Sequence, residues 1–358
     1  MPEALVAYRA AIAAAERTGE RTIVAESLRR LGVAQHHRGE RMLARELCER
    51  SRRVASEIGD SVLAGEAQNA LAGFEFEAGN IEGARERFYD ALALAGSSPG
   101  LRGRIEQNLG ILVNIQGALT DALAHYQRSL DAFRASGDER GCAIAYHNLG
   151  MVSADRGRWD QADDFYGRTL EVAQRIGDRH LEGLARLNQS EVHLARRCYD
   201  DARSGAETAL EIFNQLGARL DKADAYKLIG RVYRETGRWA LAESRVKGAF
   251  ELAVGTGSVL SEAEASRELA LLYQAMGGTR THWGCSTLPT ASSPGSTPAS
   301  ISSTSRGRST GLRKRISPWS VTGGSPSSRR TATRTATASG WPPMPRQSRR
   351  RCGWTISS

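Results

Sequence analysis

The sequence predicts an all-α protein, a solenoid of stacked antiparallel helix pairs over residues 1–277, followed by a disordered basic tail over residues 278–358. Three phased series of small residues carry that prediction. Gly39, Gly79, Gly117, Gly157, Gly237 and Gly277 recur about forty residues apart, with Arg197 in the vacant slot. Gly19, Gly59, Gly137, Gly177, Gly217 and Gly257 follow the same period half a repeat away. Ala44, Ala84, Ala122, Ala162, Ala202 and Ala242 form the third series. A period of this length marks an array of supersecondary units, each unable to bury its apolar face alone.

Each element follows from those series. Stretches of 16–19 residues between the glycines carry apolar residues at helical spacing, as in "AIAYHNLGMVSADRG". Glycine suits the turns because a helix C-cap commonly enters the left-handed region, which costs other residues steric energy. The recurring alanine belongs where two helices approach too closely for a larger side chain. The chain therefore divides into a half-unit at 2–19, six full units, and the first helix of a seventh at 259–277.

These units resemble tetratricopeptide repeats in a forty-residue form with lengthened helices. The best match, residues 138–177, carries the Leu149-Gly150 pair, Gly157, Trp159, Ala162, Tyr166 and the closing Gly177. Leu31-Gly32, Leu109-Gly110 and Ile229-Gly230 repeat the pair, whereas Leu71-Ala72, Gln189-Ser190 and Leu269-Ala270 depart from it. The resemblance implies a right-handed superhelix with a concave groove, lined by the first helix of each unit and holding a peptide or helix of a partner protein. It also implies that the residue before the Leu-Gly pair faces that groove.

That position holds Asn108, Asn148 and Asn188, an amide series at forty-residue spacing. An amide has donors and an acceptor, so it can pair with the backbone of an extended ligand without demanding a sequence. Helical spacing puts Arg104, His147, Lys227 and Arg231 on the same face, which suits an acidic peptide or a free C-terminus. Trp159 and Trp239 occupy matching positions and are expected in the core, while His36 and His37 are expected at the surface without binding metal.

Charge excludes other functions. The formal charge of +9 arises from residues 279–358, which contain 13 Lys and Arg and no Asp or Glu; the remainder has 36 basic and 40 acidic residues. A basic tail with only Trp319, Trp341 and Trp354 for stacking does not suggest nucleic acid as the partner. No apolar run reaches the roughly 18 residues of a membrane span. The five cysteines form no CxxC or metal-like pattern, as expected in the cytoplasm. No nucleophile–base pairing, HExxH or phosphate-binding glycine loop is present, so neither catalysis nor a cofactor is expected.

The tail begins abruptly and cuts the seventh unit in half. Trp283-Gly284, read one base out of phase, must become Gly, and Thr281 with His282 permits Ala, forty residues after Ala242. With third bases chosen freely, residues 281–303 yield an amphipathic helix in that frame. Residues 312–348 yield "DSYTHGH" in context, which resembles the opening of an HD-GYP cyclic di-GMP phosphodiesterase domain. The sequence therefore suggests a frameshifted tail. It supports two readings: a non-catalytic interaction scaffold, or the orphaned sensor half of such an enzyme. An uncapped last unit is further expected to fray or self-associate, because Leu269, Leu271, Leu272 and Tyr273 lose a covering helix.

Overall fold

The computed structural model describes residues 2–277, and the expectations about residues 278–358 lie outside that range. Fourteen α-helices occupy the described residues. They are α1 (Pro2–Thr18), α2 (Arg21–His37), α3 (Arg41–Glu57), α4 (Ser61–Glu77), α5 (Ile81–Leu94), α6 (Pro99–Ile115) and α7 (Leu119–Ser136). The chain continues through α8 (Glu139–Asp155), α9 (Trp159–Ile176), α10 (Arg179–Ala195), α11 (Tyr199–Leu216), α12 (Arg219–Glu235), α13 (Trp239–Thr256) and α14 (Val259–Ala275).

The turns explain this regularity. Gly157 closes α8 with φ 72°, and every other glycine of the two series is likewise left-handed. Arg197 fills the vacant slot at φ 62°, the one non-glycine residue with positive φ among those described. Its turn is therefore built as the others are, without glycine's steric freedom. The shorter helix α5, with 14 residues, is followed by Gly96 at φ 51°. Several helix starts are fixed by side chains: Asp60, Asn80, Asp138 and Asp178 accept from the backbone N–H three residues on.

Small residues bring paired helices together. A Cβ on Gly150 would sit 2.7 Å from the Tyr166 ring, and one on Gly110 would sit 2.5 Å from Tyr126. Both tyrosines are fully buried, as are Ala44, Ala84, Ala122, Ala162, Ala202 and Ala242. The main core runs through α4–α10 and includes Phe88, Leu109, Tyr126, Leu149 and Tyr166.

Helix neighbours define inside and outside. Each even-numbered helix touches the next even-numbered helix, whereas no two odd-numbered helices touch among the described residues. The even helices thus form the inner layer of a curved stack and the odd helices the outer layer. The result is an all-α solenoid.

Some expectations need correction. His36 is buried, its ring stacked on Phe74 at 4.1 Å and its Nε2 2.7 Å from Glu77, so only His37 is at the surface. Trp159 packs against the core, but Trp239 is 37% exposed at the start of α13. Leu269 and Leu272 remain buried because α12 and α13 cover their side of α14; Leu271 and Tyr273 are half-buried.

Candidate functional site

The inner strip can be located from side chains that bridge consecutive even helices. Asn108 Nδ2 of α6 donates to Asn69 Oδ1 of α4 at 3.0 Å. His147 Nε2 of α8 lies 3.2 Å from Asn188 Nδ2 of α10. Arg104 pairs with Glu66 at 2.6 Å, Arg231 with Glu191 at 3.2 Å, and Lys227 with Glu264 at 2.7 Å. Partners 37–41 residues apart stand one repeat apart, so these bonds form rungs along the concave side.

The sequence-derived residues therefore divide into distinct roles. Asn108 is 1% exposed and joins two repeats. Asn188 is half-buried and does the same through His147. Asn148, between them on α8, is 4% exposed and makes no hydrogen bond to another described residue. Neither of its amide atoms is among the fully buried side-chain atoms that lack a partner, so the tip of the amide stays open to the inner surface. His147 Nδ1, in contrast, is buried without a partner among the described residues. Burial holds its pKa down to about 4, with His180 nearby adding repulsion, so the ring is neutral at physiological pH.

The expected cationic patch does not assemble. Arg104 lies on α6, whereas Lys227 and Arg231 lie on α12, and those helices do not touch. Each cation is also committed locally. Lys227 stands 2.7 Å from both Asp224 and Glu264; burial would lower its pKa, but the two carboxylates raise it above the usual lysine value. Paired charges on helices three repeats apart do not meet at one point of the inner layer. Between them the strip is apolar and amide-rich: Ile144 and Leu184, one repeat apart at the position of Arg104, are half-buried.

A second polar cluster was not foreseen. Glu106, 3% exposed, accepts from Arg128 at 3.0 Å and contacts His125 Nδ1 at 2.7 Å. Burial would raise its pKa, but the His125 hydrogen bond and the Arg128 charge outweigh that and hold it below the ordinary carboxylate value. Glu106 and Arg128 line a cavity of about 330 Å³ between α6, α7 and the turn at Gly96. Among the described residues no group of three or more His, Cys, Asp or Glu could hold a metal ion, and no helix is long and apolar enough to cross a membrane.

Comparison with known proteins agrees with this architecture. The tetratricopeptide repeat family model matches residues 101–175 and 181–253, and the chain is a tetratricopeptide repeat protein. Among solved structures, it is similar to a STAND signal transduction ATPase with a tetratricopeptide repeat sensor from Pyrococcus horikoshii. That match has 18% identity and a TM-score of 0.60, covering 71% of this chain and 39% of the other. BtubC (BKLC) from P. vanneervenii gives 22% identity and a TM-score of 0.53 over 59% of this chain and 88% of the other. Aspartyl phosphate phosphatase F from Bacillus subtilis gives 13% and 0.53, over 65% and 63%. Identities this low establish the shared fold alone. No curated protein matches the chain. Arrays of this family are scaffolds for protein–protein interaction.

Proposed function

We propose that the inner strip of α6, α8 and α10 holds an extended segment of a partner protein, and that the array performs no chemistry of its own. The observation that supports this reading is Asn148: an amide 4% exposed, without a hydrogen bond among the described residues, midway between two amides that have one. A peptide backbone offers the donor and acceptor that Asn148 lacks. Ile144 and Leu184 flank it with half-buried apolar surface, so the segment would carry small apolar side chains beside that backbone contact. The "tetratricopeptide repeat sensor" of the Pyrococcus protein is a precedent for an array of this fold in a recognition role.

The roles of Asn108 and Asn148 can be separated. A photocrosslinking residue at Leu184, on the inner layer, is expected to capture a partner from the native host that one at Ser204, exposed on α11, does not. Asn148→Ala should weaken that capture at least tenfold while leaving thermal stability unchanged or slightly raised. Asn108→Ala should lower stability, because it leaves Asn69 without its Asn108 bond. Capture through Leu184 that is indifferent to Asn148→Ala would overturn the proposal.

A further inference from the structure

The two ends of the described array carry complementary faces. In each internal pair, the second helix packs on its own first helix through one stripe. In α5 and its C-cap that stripe is Ala84, Phe88, Ala91 and Ala95, all at 0% exposure. The same register in α1, eighty residues earlier, reads Ala4, Tyr8, Ala11 and Ala15. Here Ala4 is exposed and Tyr8 and Ala11 are half-buried, while Ala15 is covered from the α2 side.

The receiving face repeats too. The first helices meet the stripe with Gly32, Ala72, Gly110, Gly150, Ser190 and Gly230, all buried, and with Ala25, Ala143 and Ala223 two turns before Gly32, Gly150 and Gly230. In α14 the corresponding residues are Ala270 and Ala263, and both are exposed. The α4–α5 pair sets Ala72 in the same core cluster as Ala84 and Phe88, so an alanine in this slot still admits an alanine and an aromatic ring opposite. Ala270 against Ala4 and Tyr8 reproduces that combination.

We infer that α14 of one molecule receives α1 of a second copy, completing a helix pair across the junction and continuing the array head to tail. The occupant is specified by more than small residues: six internal pairs show what covers this face, and α1 carries three alanines and an aromatic ring in the same register, with Ala4 exposed and Tyr8 and Ala11 only half-buried. The chain's own next residues fit less well, since His282 stands in the register where six units have alanine. The contact is heterologous, so nothing in it closes the assembly at two copies and longer species follow at higher concentration.

The test uses the full chain and two surface variants. Ala4→Arg spoils the α1 face and leaves α14 intact; Ala270→Arg does the reverse. Both sites are exposed, and unchanged helical circular dichroism checks that neither substitution disturbs the fold. In sedimentation velocity, the unsubstituted protein should show a concentration-dependent series of species, and each variant alone should remain monomeric. An equimolar mixture of the two variants should give dimer and nothing larger, because only one good face of each kind remains per pair. Self-association of Ala4→Arg alone would indicate an α14–α14 contact and overturn the inference. So would an unsubstituted chain that stays monomeric at several hundred micromolar, or a mixture that never dimerises.

Discussion

Replacing glycine by alanine should have opposite effects at two positions in the same repeat. At Gly167 a Cβ on α9 would meet nothing within 4 Å, so Gly167→Ala should act only through helix propensity and stabilise by about 1 kcal/mol. At Gly150 the same Cβ would lie 2.7 Å from Tyr166 Cε1 and 2.9 Å from Cδ1. Tyr166 is at 0% exposure, so its ring cannot swing away without moving α8 from α9. Overpacking of this kind costs about 1–3 kcal/mol, against the same propensity gain of about 1 kcal/mol. Gly150→Ala should therefore destabilise by about 1 kcal/mol net, separating the two variants by about 2 kcal/mol. Repeat arrays unfold in parts, so the assay should be local. Hydrogen exchange of amides in 143–172, measured beside urea unfolding followed by circular dichroism, provides it. If Gly150→Ala protects those amides as well as Gly167→Ala does, the close helix approach inferred from the alanine and glycine series is wrong.

Three further outcomes follow from the geometry. Arg197→Gly should stabilise by about 1 kcal/mol in urea unfolding, since it relieves a left-handed non-glycine residue, while Gly157→Ala at the equivalent turn should destabilise by a similar amount. The depressed pKa of His147 means that the unfolded chain takes up a proton near 6.5 while the folded one resists until about 4. Stability from this group is therefore complete above pH 6.5 and falls as pH drops toward 4, by at most about 3 kcal/mol; His147→Gln should remove that slope from urea midpoints measured across the window. Lys227→Met leaves Asp224 and Glu264 without their shared cation, so amides in 259–275 should exchange at least tenfold faster, with little change in 139–155.

The fold was legible because its signals are local and repeated. A glycine every forty residues and an alanine between them state the turn and the close contact in sequence, and even the exception, Arg197, was marked by the period it interrupts. The inner face was legible only in part. Asn108, Asn148 and Asn188 share a register position, but each amide's role depends on the residue one repeat away. Asn69, the partner of Asn108, lies in the unit whose Leu71-Ala72 pair departs from the repeat pattern. Glu66, Glu191 and Glu264, which neutralise the predicted cations, are ordinary helix glutamates until the stack sets them against Arg104, Arg231 and Lys227. The burial of His36 is invisible in sequence because HH reads as a polar pair, whereas α4 places Phe74 beneath the first ring.

The most direct test of the inner-face account is a hydrogen-exchange footprint with a captured partner bound. Slowed exchange is expected in 99–115, 139–155 and 179–195, the inner helices α6, α8 and α10, with α7, α9 and α11 unchanged. Protection confined to the outer helices, or to the cavity beside Glu106 and Arg128, would contradict it.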